Sequence, residues 1–450
     1  MDSYDLIIIG SGPGGYIAAQ RAGAYGKKVL IIEKDNLGGV CTNVGCIPTK
    51  SLLNAAKLYR YSQESAQMGV TSEKVKFDLT TAMQWKAETV ETLRGGIAFL
   101  MKSAKADVVF GEAVCLDANR VQVGTEIYQG ENIIIATGSS PAIPPIKGSD
   151  LPNVLTSNEI LALEKLPDSL VVIGGGVIGV EFASFFASVG VKVSVVEMMD
   201  EILPMVDKDM AKVVRREMKP VEFYLSCQVT EITKEGVVFI DAKGEERTIK
   251  ASLVLLSVGR KPNLEAVRNL KLNIDRNGIV VDEQLRSSIP NIYAIGDVNG
   301  KSLLAHSASR MGEVVIANLY GERAQKMRYN AIPWAVYGVP EVAGCGLTEE
   351  EAKRKGRTVV SAAVQMRSNG RFLAEHGKRA AGICKVVADA QTKAILGVHL
   401  LGPYSSELIY GAAAMIEAEL RIQDVKEIVF PHPSVAEIIR DALFAIEQTL

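Results

Sequence analysis

Tyr4-Asp5-Leu6-Ile7-Ile8-Ile9-Gly10-Ser11-Gly12-Pro13-Gly14-Gly15 is the stretch on which the reading of this chain turns. An apolar, β-branched run at 4–9 reads as a buried strand. The glycines read as a tight turn, and the alanine-rich stretch up to Gly26 as a helix. A second short apolar strand at 29–32 is closed by Glu33, which completes a βαβ unit of about thirty residues. The same order returns later: a strand at 170–173, the turn Gly174-Gly175-Gly176-Val177-Ile178-Gly179, a helix at 180–189, a strand at 193–196, then Glu197. The first glycine and the closing acid are 23 residues apart in both units (10 to 33, 174 to 197). One glycine turn alone is a weak signal, but two matched units predict two dinucleotide sites. Gly10 and Gly12, like Gly174 and Gly176, permit the tight turn and the approach of backbone to a pyrophosphate. Gly14 and Gly15, like Gly179, let helix and strand pack closely, while Glu33 and Glu197 accept from ribose hydroxyls.

The rest of the chain fits that frame. Shorter strand–glycine segments at 132–136 (into Thr137-Gly138), 253–258 (into Gly259) and 291–295 (into Gly296-Asp297) place backbone-permissive turns at strand ends, where ligands sit. A proline-rich joint at 141–145 separates the units, and beyond about residue 330 two strand-like runs (380–388, 394–401) precede a helical segment at 405–418. The expectation is an α/β protein with two Rossmann-like dinucleotide-binding domains plus a C-terminal α+β domain. Its boundaries are 1–145 and 266–330 for the first nucleotide-binding domain, 146–265 for the second and 331–450 for the last. Lys+Arg number 50 and Asp+Glu 52, so nothing in the charge balance favours nucleic acid or an anionic membrane surface. No apolar stretch reaches a bilayer's length or resembles a signal peptide, so a cytoplasmic protein is expected.

Six cysteines in 450 residues do not make a secreted disulfide framework. Cys115, Cys227, Cys345 and Cys384 are scattered and read as small buried side chains. Cys41 and Cys46 stand in Gly38-Gly39-Val40-Cys41-Thr42-Asn43-Val44-Gly45-Cys46-Ile47-Pro48-Thr49-Lys50. In a regular helix their Cα atoms would lie about 8.7 Å apart. A disulfide needs roughly 4.4–6.8 Å. A bond between them therefore requires a distorted helix, for which Gly45 and Pro48 are suitable. On spacing alone a redox pair, half of a zinc site and two unpaired thiols all remain open, although no histidine lies nearby in sequence to complete a zinc site, and no metal is expected.

Taken together, the two glycine turns, the cysteine stretch, Ala136-Thr137-Gly138, Ala294-Ile295-Gly296-Asp297 and His432-Pro433-Ser434-Val435-Ala436-Glu437 resemble the flavoprotein disulfide reductases over essentially the whole chain. The resemblance implies FAD at the first turn, NAD at the second and a homodimer built through the last domain. It implies a redox-active Cys41–Cys46 disulfide, His432 as acid–base serving the other subunit's site, and Glu437 as its orienting partner. It also implies that Lys50 and Glu181 pair beside the flavin, that Asp297 holds hydroxyls of the flavin's sugar-alcohol chain, and that Ala305 starts a helix near it. Gly14-Gly15-Tyr16-Ile17-Ala18-Ala19, Ile47-Pro48-Thr49-Lys50 and Gly397-Val398-His399-Leu400-Leu401-Gly402-Pro403 lean toward the branch that acts on lipoamide, without a fused lipoyl domain or an extra C-terminal cysteine pair. The expected reaction is oxidation of protein-bound dihydrolipoamide with NAD as acceptor. The partner would be a lipoyl-bearing protein of a 2-oxoacid dehydrogenase or glycine cleavage complex. Two alternatives stand beside it: an NAD(P)H-dependent reductase of another small disulfide, and a flavin-bearing subunit without catalysis. Val40 and Gly338-Val339 depart from the family's usual residues.

Read without the family, Lys50 is a surface cation and His432 a structural histidine near an acid. Glu181 interrupts an apolar helix face and wants a partner. His376 and His399 read as structural. Glu197 accepts from a ribose 2′-hydroxyl and repels a 2′-phosphate, and no arginine follows before Arg215, so NAD is expected over NADP.

Overall fold

The computed structural model describes residues 2–448. Ser3–Ile9 is a central strand, with Leu6, Ile7 and Ile8 fully buried. A strand apolar on both faces belongs inside a parallel sheet. It pairs in parallel with Val29–Glu33 on one side and Glu126–Ile135 on the other, and Ile292–Ala294 joins beyond. Helix α1 (Pro13–Ala24) starts with proline at its first position, where the missing N–H costs nothing. It packs against helix Ala305–Tyr320 so closely that a side chain on Gly312 would lie 2.7 Å from the Gly14 carbonyl.

The second nucleotide unit repeats this design. Its parallel strands run in the order Val221–Tyr224, Lys192–Val196, Ser169–Ile173, Leu253–Leu256, Val154–Leu155. A three-stranded antiparallel sheet (Gln228–Thr233, Gly236–Ile240, Glu246–Lys250) covers one face, closing a core around Phe239. The proline-rich joint begins in a strand, and residues 142–146 then run without regular structure. Ser139–Pro141 pairs antiparallel with Arg260–Pro262, so the two chain crossings between the units run as one ribbon.

The last unit is an antiparallel sheet in the order Trp334–Val336, Val342–Gly346, Ile395–Leu401, Ile383–Asp389, Val359–Gln365. Helices Ser405–Glu417 and Glu437–Glu447 bury their apolar faces on it. With two parallel nucleotide-binding sheets and this α+β unit, the architecture is the expected one. Among the described residues no helix is long and apolar enough to cross a membrane.

The cysteine stretch forms two helices. Helix α2 (Gly39–Val44) ends at Gly45 (φ −144°, ψ −111°), and helix α3 (Cys46–Glu64) starts immediately afterwards. Helix α3 and the start of helix α4 (Leu79–Ser103) reach away from the first core, to which α4 returns at Met101. Leu52, Leu53, Ala56 and Leu79 bury themselves with Phe182, Phe185 and Phe186 of helix α5 (Val177–Ser188), at the second unit.

Two alanine substitutions separate backbone contact from helix propensity. At Gly15 a Cβ would fall 2.0 Å from the Gly10 carbonyl oxygen, so Gly15→Ala should destabilise by about 1–3 kcal/mol. Gly95, exposed within α4 with no neighbour in reach of a Cβ, should gain up to about 1 kcal/mol on Gly95→Ala. Thermal melting should move down in the first variant and up in the second.

Candidate active site

The two glycine turns have matching geometry. Gly10 (φ +102°) and Gly174 (φ +106°) occupy the left-handed region. A Cβ on either would strike a neighbouring carbonyl oxygen, Ala136 O at 2.3 Å or Ser257 O at 2.6 Å. Gly15 and Gly179 pass within 2.0 and 2.1 Å, on the same measure, of the carbonyls of Gly10 and Gly174. Gly12 and Gly176 have nothing within reach on their open side, which faces a cavity.

The closing acids correspond as well. Glu33 accepts from Ser11 N (2.9 Å) and Asp35 N (3.0 Å), and Glu197 accepts from Gly175 N (2.5 Å) and Met199 N (2.7 Å). Each carboxylate is thus fixed by its own turn and by the residue two places on. A carboxylate oxygen has lone pairs beyond one donor, so both acids can still accept from a ribose.

One cavity of about 1950 Å3 runs from the first turn, past the cysteines, to the second. Single-ligand pockets are commonly about 300–1,000 Å3, so this volume suits two dinucleotides end to end. Thr137, Gly138, Gly259, Gly296, Asp297 and Ala305 also line it. Asp297 accepts from the Ser139 hydroxyl (2.5 Å), and the Arg260 guanidinium binds the same hydroxyl at 2.7 Å. Open glycine backbone, two anchored acids with free lone pairs and this polar rim fit the FAD and NAD that the resemblance implies.

Cys41 and Cys46 meet across the break at Gly45. Both are free thiols, the reduced form of the expected pair. Gly38 N donates to Ser11 O (3.1 Å), and a Cβ on Gly39 would lie 2.6 Å from Gly12 Cα. Two glycines therefore precede Val40 because the cysteine segment is pressed against the first turn. Cys46 is the first residue of a 19-residue helix, where free N–H groups and the helix dipole favour an anion.

The hydrogen bond from Cys41 lowers the Cys46 thiol to about 7. Burial and the Glu181 carboxylate oppose that shift, and the Lys50 ammonium assists it. The same hydrogen bond, together with burial, pushes the Cys41 thiol up. Charge in the pair therefore sits on Cys46.

Lys50, one turn along α3, reaches both oxygens of Glu181 on α5 (3.0 and 2.9 Å). Glu181 is 3% exposed and also accepts from Tyr337 N at 2.9 Å. The Lys50 ammonium stands 4.7 Å from the centre of the Tyr337 ring. Burial works against the charge on Lys50, but the Glu181 carboxylate outweighs it and raises the lysine.

His432 lies elsewhere. Its Nδ1 is 3.1 Å from both oxygens of Glu437, which Ser434 N also bonds at 3.0 Å. The imidazole is 79% exposed and does not line this chain's cavity. Of the other histidines, His399 is buried against Leu347 O, and His376 packs on Phe372 and Tyr404. Among the described residues no group of His, Cys, Asp and Glu could hold a metal.

Tyr16 was not anticipated as a site residue. Burial, and then the two neighbouring cysteines, raise its phenol. A tyrosine among the small residues of α1 is the only sequence signal of its place. Ser139 and Arg260 were missed because their partner, Asp297, is distant in sequence.

Two interacting thiols beside a cavity large enough for two dinucleotides point to a class, and the comparisons with known proteins agree. The chain belongs to the pyridine nucleotide-disulphide oxidoreductases: that family's profile matches residues 4–312, and the profile of its dimerisation domain matches 332–443. It is an FAD-dependent, NAD-linked disulfide oxidoreductase and forms a homodimer. It is 39% identical to the dihydrolipoyl dehydrogenases of Bacillus subtilis and of Geobacillus stearothermophilus, each over 97% of this chain and 95% of the relative. Among solved structures it resembles the Cu(II) complex of the HOCl-induced flavoprotein disulfide reductase RclA from Escherichia coli. There the TM-score is 0.88 and the identity 29%, covering 99% of this chain and 100% of that one.

Because the Cys46 thiol is held below its ordinary value, the thiolate should be present above about pH 7 and lost below it. Ultraviolet thiolate absorbance of the reduced protein should follow that titration. Lys50→Met removes the assisting cation and should move the midpoint up by about one pH unit. Cys46→Ser should abolish it.

Proposed function

We propose that this chain is a dihydrolipoyl dehydrogenase, with FAD at the first turn and NAD at the second. The observation that carries the proposal is the thiol pair with its charge on Cys46, set between the two nucleotide turns and beside Lys50–Glu181. The identity of 39% to dihydrolipoyl dehydrogenases across nearly the full length of both chains supports the choice of substrate.

The protein's own residues account for the thiol chemistry. His432, reaching the site from the second copy of the chain, takes a proton from dihydrolipoamide. Glu437 holds its ring by Nδ1, leaving Nε2 to act. The substrate thiolate attacks Sγ of Cys41 in the oxidised pair, the Cys41–Cys46 bond breaks, and Cys46 leaves as a thiolate. The second substrate thiol then displaces Cys41, whose departing sulfur takes that thiol's proton, closing the lipoamide ring and leaving the first proton on His432. The α3 N-terminus and Lys50 stabilise the Cys46 thiolate that results. What bound FAD supplies is acceptance of the dithiol's electron pair and its delivery as hydride to NAD.

Cofactor choice follows from the second acid. Glu197 favours a free 2′-hydroxyl, and Arg215 is occupied by Glu201 through two hydrogen bonds (2.8 and 3.0 Å). Among the described residues no arginine in the loop following Glu197 is left free to compensate a 2′-phosphate. The physiological partner is then a lipoyl-bearing protein of a 2-oxoacid dehydrogenase or glycine cleavage complex, in the cytoplasm.

Steady-state turnover tests the reading. Dihydrolipoamide with NAD should turn over rapidly, and Cys46→Ser should abolish it. NADP should be poorer by at least about 100-fold, because like charges meet at Glu197. Flavin reduction by NADH with no lipoamide turnover, and with rapid reduction of another small disulfide, would overturn the substrate assignment.

A further inference from the structure

Directly after Glu197 the chain reads Met198-Met199, and Met205 follows on the same loop. Methionine is usually a core residue. These three are 72%, 49% and 38% exposed, and all line the cavity at its Glu197 end. The loop that carries them is anchored to the second glycine turn. Leu203 N donates to Gly175 O (2.9 Å), Met199 N to Glu197 (2.7 Å), and Ser226 N to Met199 O (2.8 Å). The loop is thus held against the second turn, and its three methionines line the same cavity as Glu197, the acid proposed to receive the nucleotide's ribose. Met68, 62% exposed, lies outside the cavity.

Thioethers are soft and polarisable, suited to the face of an adenine ring, and they are also oxidisable. We propose that Met198, Met199 and Met205 form an oxidant-sensitive platform for the adenosine end of NAD, whose sulfoxidation by a peroxide weakens nucleotide binding. This rests on NAD occupying the second turn. In the step, a sulfur lone pair attacks one oxygen of hydrogen peroxide. The S–O bond forms as the O–O bond breaks, and the departing hydroxide takes the remaining proton and leaves as water. Sulfur is oxidised by two electrons and the peroxide reduced by two. The product turns an apolar surface into a polar one where the ring would rest. Cys227 also lines this end, but it is only 4% exposed, and burial pushes its thiol up. It is therefore a poor competitor for the oxidant.

The holoenzyme, with its redox pair oxidised, is treated with hydrogen peroxide. Sulfoxides are located by peptide mass spectrometry, and the Kd of NAD, which cannot reduce the oxidised enzyme, is read by isothermal titration calorimetry. Sulfoxidation should raise Kd about tenfold. Saturating NAD should slow sulfoxide formation at 198, 199 and 205 but not at Met68. In the triple variant Met198→Leu, Met199→Leu, Met205→Leu, peroxide should leave Kd at the value of that variant's own untreated form. An unchanged Kd after complete sulfoxidation, or an equal loss in the triple variant, would overturn the inference. Failure of untreated protein to bind NAD would instead overturn the nucleotide assignment on which it rests.

Discussion

The ion pair between Lys50 and Glu181 joins three parts of the molecule at one buried point. Lys50 belongs to the helix that begins at Cys46, Glu181 to the helix that begins at the second glycine turn, and Tyr337 to the start of the last unit. A carboxylate this buried is tolerable only if its oxygens are matched by donors. Here two bonds from Lys50 and one from the Tyr337 backbone match it, and the Tyr337 ring sits beside the ammonium. The pair fixes how the three units meet. It also places one cation within reach of Cys46, which favours the thiolate there rather than at Cys41.

The rest of the site depends on repetition. Both nucleotide turns solve the same backbone problem: a left-handed first glycine, an open second one, a third that clears a carbonyl, and an acid held by its own turn. Because the second turn opens helix α5, that turn's last glycine, Gly179, and the residue that pairs with Lys50, Glu181, belong to one rigid element. The cysteine segment is pressed onto the first turn through Gly38 and Gly39. Two cofactor sites and the thiols between them therefore share one framework of packed backbone.

What could be read in the sequence follows from the range of the forces involved. The glycine turns, their acids and the strands flanking them were legible because steric constraints on backbone act over a few residues. The helix distortion needed by Cys41 and Cys46 was legible for the same reason, and it occurs at Gly45. The partnership of Lys50 with Glu181, 131 residues away, came only from resemblance, since nothing local to either residue specifies it. The ribbon of Ser139–Pro141 with Arg260–Pro262, the place of Tyr16 and the anchored methionine loop were not legible at all. Each is a contact between distant segments, and composition along the chain carries no trace of it.

The acid–base pair lies apart from this framework. Glu437 opens its helix with its carboxylate held by a backbone N–H, and it presents His432 to solvent rather than to the cysteines of its own chain. The working site is therefore proposed to span two chains of the homodimer. The most direct measurement is turnover by a mixed dimer of one Cys46→Ser chain and one His432→Ala chain, co-expressed with different tags and purified through both. If His432 serves the opposite chain, one of the two sites in this dimer is intact, and about half the parent activity should appear although each mutant homodimer is inactive. A mixed dimer as inactive as either homodimer would place the acid–base group within its own chain and contradict the account.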